Sequence, residues 1–138
     1  MKVWLVNTNS KEESENPNGF KFMLRQNKAS AYYDKKEAID KISTADIVLL
    51  YHNNNRVIAV GCVIENAEYD FSEIHNFEHW VDVNWIWKAN FNDKFEPTNW
   101  IDRHKIGITM VNNTVVNITN QLDYKVLLEQ IAQKQNYL

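Results

Sequence analysis

The sequence predicts an α+β fold, in which a small, mostly antiparallel β-sheet is curled or closed into a barrel and flanked by short α-helices. Two apolar, β-rich stretches on either side of an asparagine turn at residues 53–55 are typical of a buried β-hairpin. Segments with strand patterning also outnumber those with helical patterning. A length of 138 residues, with 44% hydrophobic and 24% charged side chains, fits a single domain spanning residues 1–138.

The first third of the chain is predicted to hold one strand and two short helices. Residues 3–8 alternate and are rich in β-forming side chains, which predicts the first strand. Residues 20–24 indicate a short helical turn. The spacing from Asp34 to Glu37 is that of a capping box, which opens a second helix through Ile42.

The middle of the chain carries the clearest strand patterns. Residues 45–52 and 56–64 are the strands of the predicted hairpin, and an irregular acidic connection follows at residues 66–79. Residues 80–88 alternate as a further strand. One face of that strand carries Trp80, Asp82, Asn84 and Lys88, and the other, which we assign to the core, carries Val81, Val83, Trp85 and Trp87.

The last third is predicted to form a hairpin and a closing helix. Residues 90–99 are loop-like, and residues 106–111 and 114–118 predict a second hairpin. Asp123 is placed to cap a helix that continues through Ala132.

The charge distribution bears on possible partners. A formal net charge of −3 argues against a nucleic-acid binder that depends mainly on phosphate contacts, because such proteins carry a strong positive excess. Residues 57–87 contain six acidic and no basic side chains, whereas residues 21–41 contain three more basic than acidic side chains. A basic segment of this kind more often forms the solvent-exposed face of a helix than a binding site. If phosphates are bound, we expect them on that segment, at Lys21, Arg25, Lys28 and Lys35.

Several classes of protein are excluded by composition. The single Cys62 cannot form an internal disulfide, and the three glycines, at positions 19, 61 and 107, lie too far apart for a dinucleotide-binding or P-loop motif. No apolar run approaches the roughly 20 residues that cross a bilayer, and the N-terminus lacks the pattern of a signal peptide. We therefore expect a cytoplasmic protein with no membrane partner, cofactor or metal.

The segment His75–His79 matches H-x-x-E-H, a zinc-peptidase pattern in which two histidines one helical turn apart bind the metal beside a catalytic glutamate. That chemistry needs a long helix and a third ligand, whereas this segment adjoins a predicted strand and follows residues without helical periodicity. Coincidence is the favoured interpretation, and no catalytic residue is predicted. The alternatives are a small zinc-dependent hydrolase, an acid–base enzyme using Asp82, and a protein-interaction module.

Aromatic side chains interleaved with polar ones are the remaining signal. A base can be recognised when its faces stack on aromatic rings and its edge meets amide, hydroxyl or carboxylate groups. Of the five tryptophans, Trp4, Trp85 and Trp87 are assigned to the core. The candidate base-binding residues are Asn7, Thr8, Asn9, Tyr32, Tyr33, Tyr69, Trp80, Asp82 and Trp100.

Six short segments match one known family in their order and spacing: residues 2–9, 42–51, 57–61, 68–72, 80–83 and 122–125. Together they resemble the EVE domain of the PUA-like superfamily. A weaker similarity to the related YTH domains, which read N6-methyladenine in RNA, lies at residues 84–86, 98–100 and 105–107. The resemblance implies a PUA-like barrel of five or six strands, with a pocket at one mouth for a flipped or single-stranded modified base.

The resemblance also implies roles for the candidate residues. Asn7 and Asn9 would bind the base edge, and Tyr32 with Tyr69 or Trp80 would form the stacking walls. The implied function is non-catalytic reading of a modified base in DNA or RNA, and the implied partner is a nuclease or a modification system. The pocket rim would be lined by Asp82 and Trp100.

Overall fold

The computed structural model describes residues 1–8, 19–31, 36–52, 56–69, 78–109, 111 and 114–134. Within these residues the chain forms seven strands and three helices. They are β1 (Val3–Asn7), α1 (Gly19–Gln26), β2 (Lys28–Ala31), α2 (Lys36–Ile39), β3 (Ile47–His52), β4 (Arg56–Tyr69), β5 (His79–Lys88), β6 (Ile101–Asp102), β7 (Val115–Asn117) and α3 (Tyr124–Lys134).

The strands form one mixed sheet that curls into a half-barrel. Their order is β2-β5-β4-β3-β1-β7, with β6 paired to β4 off this path. The β1–β3 pair is parallel, and the other described pairs are antiparallel. The small, mostly antiparallel α+β fold predicted from the sequence is therefore confirmed, with seven described strands where the resemblance implied five or six.

The predicted central hairpin is confirmed. Leu49 of β3 lies opposite Val60 of β4, and both are buried. The predicted strand at residues 80–88 is also confirmed as β5, and its alternation places Val81, Val83 and Trp87 in the core. The connection predicted to be irregular from residue 66 onward is partly wrong, because β4 continues through Tyr69 alongside β5.

Three pairings differ from the sequence prediction. The basic segment contains a strand, β2, which pairs with β5, and β6 inside the predicted loop region pairs with β4. The second hairpin is wrong, because β7 pairs with β1. Residues 106 and 107 instead lie in a turn and residues 108 and 109 have no regular structure; Gly107 takes a φ of 89°, and Ile106 O accepts a hydrogen bond from Asp123 N.

The helices agree in part with their sequence patterns. Asp123 Oδ1 accepts a hydrogen bond from Val126 N at 3.2 Å, as expected of a cap, and α3 buries Leu127 and Ile131. The second predicted helix ends earlier than expected, at Ile39, and Asp34 lies outside the described residues. Among the helices in the described part of the chain, none is long and apolar enough to span a membrane.

The core lies between the inner face of the sheet and the helices, and two of the three predicted core tryptophans are buried in it. Trp4 and Trp87 are buried, whereas Trp85 is half-buried and donates its indole N–H to Met23 O at 3.3 Å. Trp4 Nε1 donates to Asp46 Oδ2 at 2.9 Å. This bond joins β1 to the residue before β3.

Replacing Gly61 with alanine is expected to lower the free energy of unfolding by about 1–3 kcal/mol, the usual cost of overpacking a core. A Cβ at this position in β4 would lie 2.7 Å from Trp85 Cε3 and 2.9 Å from the Asn84 carbonyl oxygen of β5. Urea denaturation would measure the loss. The neighbouring Cys62→Ala variant serves as the control, and equal stabilities for the two variants would show that the close approach of β5 at Gly61 does not constrain the fold.

Candidate functional site

Several strand ends meet at one end of the half-barrel, which we call the mouth and define by Thr8, His52, Arg56 and Trp100. Because β1 and β3 are parallel, they end side by side, with Asn7 opposite Tyr51. β4 begins there with Arg56 opposite His52, and β6, which follows Trp100, pairs with the same end of β4. The topology thus brings together residues that are far apart in the sequence.

An aromatic cluster closes one side of the mouth. Phe20 of α1 packs on His52, with ring centroids 4.6 Å apart. Phe91 and Phe95, from the loop before β6, stack on each other at 4.8 Å. Phe20 also lies 5.8 Å from Phe95 and 6.1 Å from Phe91, so the four rings form one continuous aromatic cluster.

The loop that carries Phe95 is held in a fixed shape. Asn92 Oδ1 accepts hydrogen bonds from Lys94 N at 3.0 Å and Glu96 N at 2.9 Å. Phe91 and Pro97 form a β-bridge that closes the loop. Phe95 itself has a φ of 61°, a conformation that non-glycine residues seldom adopt and that is often found at functional sites. These contacts therefore hold the backbone of the loop that carries Phe95.

Cationic side chains lie over these rings. Lys21 Nζ lies 5.0 Å and the Arg25 guanidinium 5.3 Å from the Phe95 centroid, because α1 places residues four apart on the same side. The Arg56 guanidinium lies 4.2 Å from the Trp100 ring centroid, close enough for a cation–π interaction. Within the described residues, none of these three cations forms a salt bridge.

Two neighbouring cavities open at the mouth. The mouth cavity has a volume of about 210 Å³ and is lined by Phe20, His52, Phe95, Pro97, the cations of Lys21, Arg56 and Lys94, and the carboxylate of Glu96. The flank cavity has a volume of about 350 Å³ and is lined by Thr98, Asn99, Trp100, Asp102, Lys105, Gln130 and Lys134. Cations outnumber carboxylates in both linings, so both favour an anionic ligand.

Thr8, one of the candidate base-binding residues, contacts His52 at the mouth. Thr8 is 9% exposed, and its hydroxyl donates to Tyr51 O at 3.0 Å. The same hydroxyl lies 3.0 Å from His52 Nδ1. The tautomer of the imidazole decides which of the two groups donates in this second bond. In either case the bond links Thr8 to a residue that lines the mouth cavity.

A second group of predicted residues lies at the opposite end of the half-barrel. β4 and β5 are antiparallel, so Ala59 near the mouth faces Lys88, whereas the distant Tyr69 faces His79. Trp80 is next to His79, and the mouth and the Trp80 region therefore do not share one pocket.

Lys28 also lies at that far end, where its ammonium group already has a partner. Lys28 lies opposite Asp82 in the β2–β5 pair, and its Nζ lies 5.1 Å from the Trp80 ring centroid. It forms a 2.6 Å salt bridge with Glu78, which is 4% exposed. A lysine that neutralises a buried carboxylate is not a free phosphate ligand, in contrast to Lys21 and Arg25.

Some predicted site residues are not described by the structure. Asn9, Tyr32, Tyr33 and Lys35 lie outside the described residues, and only the backbone of Tyr69 is described, within β4. Asn7 is described at the mouth, where its backbone N–H donates to Thr114 O at 2.7 Å.

The H-x-x-E-H segment does not have the helical geometry that zinc chemistry requires at its described end. His79 is the first residue of β5, and its Nδ1 lies 2.8 Å from Asp40 Oδ1. Glu78 is held by Lys28, and His75 lies outside the described residues. In the described part of the chain, no three histidine, cysteine or acidic residues are grouped to hold a metal ion.

Sequence reasoning missed most of the mouth. Phe20, His52, Arg56 and Phe95 were not candidates, because each was attributed to a helix, a strand or a loop. One available signal was the pair of phenylalanines four residues apart in a polar loop, where aromatic side chains are unusual.

Comparison with known proteins places this architecture in a family. A family model described as "Domain of unknown function (DUF8426)" matches residues 4–119. The chain belongs to the DUF8426 family. Because no activity comes with that description, the resemblance of this DUF8426 domain to EVE domains stays a prediction. Among curated proteins the comparison finds no significant match.

Two solved structures share the fold of the DUF8426 domain. The NMR structure of Rpa0253 from Rhodopseudomonas palustris has a TM-score of 0.55 and 10% identity, covering 99% of this chain and 97% of that one. The crystal structure of PSPTO5229 from Pseudomonas syringae has a TM-score of 0.54 and 11% identity, covering 93% of this chain and 99% of that one. At such low identity the likeness concerns the fold alone.

Proposed function

We propose that this DUF8426 domain is a non-catalytic nucleic-acid-binding module that takes one base of a single-stranded or flipped DNA or RNA segment into the mouth cavity. The observation that carries the proposal is the composition of that cavity. Aromatic rings of Phe20, His52 and Phe95 lie beside the cations of Lys21 and Arg56, so one cavity offers groups for a base and for the attached phosphate.

The size of the mouth cavity suits a base. Its 210 Å³ equals the liquid volume of about seven water molecules. That is room for one planar heterocycle and not for a base pair, so a duplex would have to extrude the base. Unstacking costs a few kcal/mol, and stacking on aromatic side chains returns about 1–3 kcal/mol per base.

The charge of the chain indicates how binding would depend on salt. The net charge is −3, but the cations at the mouth are locally in excess. Affinity would therefore be modest, with a small number of phosphate contacts and a shallow dependence on salt concentration.

Preference for a modified base, and the finer assignment to the PUA-like EVE group, rest on the sequence resemblance. A reader of this kind would act in the cytoplasm, with a nuclease or a modification system as a possible partner.

A Phe95→Leu variant tests the proposal. Loss of the ring is expected to weaken binding of a single-stranded hexamer about 5- to 30-fold, which corresponds to about 1–2 kcal/mol of stacking. Binding is measured by fluorescence anisotropy with labelled DNA and RNA hexamers whose central base is plain, methylated or hydroxymethylated.

Phe22→Leu is the matched control for this experiment. Phe22 is an exposed phenylalanine of α1 that does not line the mouth cavity, so the same substitution there should change affinity less than about 3-fold. Equal losses for the two variants, or wild-type affinity for Phe95→Leu, would contradict base capture at the mouth. Thermal unfolding of both variants separates loss of binding from loss of fold.

A further inference from the structure

We propose that the flank cavity is a second subsite, which binds the sugar and phosphate of the nucleotide next to the captured base. The ligand would then be a single strand of at least two nucleotides and not a free nucleotide. This inference rests on the proposed function and specifies its substrate class.

The two cavities adjoin through a single stacked pair. Arg56 lines the mouth cavity, Trp100 lines the flank cavity, and the guanidinium lies 4.2 Å from the indole centroid. Pro97 and Thr98, which are consecutive in the loop, line one cavity each. A strand whose base occupies the mouth cavity therefore reaches the flank cavity by passing the Arg56–Trp100 pair.

The lining of the flank cavity suits a backbone better than a base. Among the described residues that line it, Trp100 is the single aromatic one, and the others carry hydroxyl, amide, carboxylate and ammonium groups. Lys105, in the turn after β6, and Lys134, at the end of α3, bring two cations against the carboxylate of Asp102 in the described part of the lining. Amide and hydroxyl groups can bond sugar and phosphate oxygens, and the ammonium groups can neutralise phosphate.

The charges of the flank cavity are available for a ligand. Within the described residues neither Lys105 nor Lys134 forms a salt bridge. The carboxylate of Asp102 is already engaged, because its Oδ1 accepts a hydrogen bond from His104 N at 2.9 Å. Lys134 also lies at the C-terminal end of α3, where a cation interacts favourably with the helix dipole and stabilises the helix. The test must therefore separate ligand binding from helix stability.

A double variant, Lys105→Gln with Lys134→Gln, makes that separation. It is titrated with the hexamers described above and with the corresponding nucleoside 5′-monophosphates. If both lysines contact phosphates, hexamer affinity at low salt falls about 10-fold or more, and the slope of log K against log salt decreases by about 1.4, which is about 0.7 for each contact. Affinity for the monophosphates stays within about 2-fold of wild type, because they do not reach the flank cavity.

Lys125→Gln is the control for net charge, since Lys125 is exposed in the first turn of α3 and does not line the flank cavity. Hexamer affinity and salt slope equal to wild type in the double variant would overturn the second subsite and leave base capture intact. Equal weakening of hexamer and monophosphate would overturn it as well, by indicating an effect on the fold. Failure of the wild-type protein to bind any of these probes would overturn the proposed function itself.

Discussion

Replacing Arg56 with alanine is expected to weaken hexamer binding about 10- to 100-fold. Charge-assisted hydrogen bonds contribute about 1.5–3 kcal/mol each, which corresponds to that range of affinity. Arg56 is half-buried between the two cavities, and in the described residues its guanidinium contacts the Trp100 ring without forming a salt bridge. A group placed in this way can bond a phosphate without losing a protein partner.

Two further variants make the Arg56 result specific. Arg56→Lys keeps the charge and loses the flat guanidinium, so its affinity should lie between those of wild type and Arg56→Ala. Lys41→Ala removes an exposed positive charge near the far end of the half-barrel and should leave affinity within about 2-fold of wild type. Equal affinities for wild type and Arg56→Ala, measured by anisotropy at low salt, would rule out phosphate binding at the mouth.

Replacing Asp46 with alanine is expected to lower the free energy of unfolding by about 2–3 kcal/mol at neutral pH, since buried donors lose their acceptor. Asp46 is 5% exposed and accepts hydrogen bonds from Lys2 N at 3.0 Å, Ser43 N at 3.0 Å and Trp4 Nε1 at 2.9 Å. These bonds join β1 to the start of β3, on which the parallel pair depends.

The contribution of Asp46 to the free energy of unfolding should decrease as the pH falls. Burial by itself raises the pKa of Asp46, but the hydrogen bonds from Lys2, Ser43 and Trp4 together hold that pKa below its ordinary value of 3.8. The unfolded chain therefore binds the proton more readily, so the stabilisation is complete above pH 3.8 and is lost as the pH falls through the lower folded pKa.

Urea denaturation at several pH values measures this dependence. The gap in stability between wild type and Asp46→Ala should be largest near pH 7 and should narrow progressively in acid. Asp93→Ala, in an exposed loop, should change stability by less than about 0.5 kcal/mol at any pH. A gap of the same size at neutral and acidic pH would show that the charge of Asp46 does not contribute to stability.

Elements with a strong local pattern were predicted well from the sequence. Alternation along β5 assigned Val81, Val83 and Trp87 to the core, and all three are buried. The cap at Asp123 and the central hairpin also depend on residues that are close together in the chain, so a single sequence is enough to predict them.

Pairings between distant segments could not be predicted in the same way. β6 has two residues and β2 has four, and each becomes a strand because a longer strand offers it free backbone groups. Ile106 and Ile108 have the alternation of a strand, yet they are buried in a turn and in the irregular segment after it, and β7 pairs with β1 instead. An alternating pattern of apolar residues indicates only that one side of a segment is buried. A turn that packs on the core also has one buried side.

The location of the candidate site was predicted only in part, because it also depends on pairings between distant segments. Trp100, Lys21 and Arg25 lie at or beside the mouth, whereas Trp80 and Asp82 lie at the other end of the half-barrel. Residue types alone indicate stacking and phosphate binding, but strand direction decides which end of the sheet each residue occupies. Which lysines and arginines lack a carboxylate partner depends on the folded structure.

Base capture at the mouth is tested most directly by mapping a bound hexamer with NMR chemical shifts, for which a chain of 16.3 kDa is well suited. The indole N–H signals of the five tryptophans can be followed together with the backbone amides. We expect a single-stranded hexamer to shift the Trp100 indole and the amides of Phe20, Arg56 and Phe95, while the Trp80 indole stays in place. Shifts confined to Trp80 and Asp82, or no saturable shift at the mouth, would contradict base capture there.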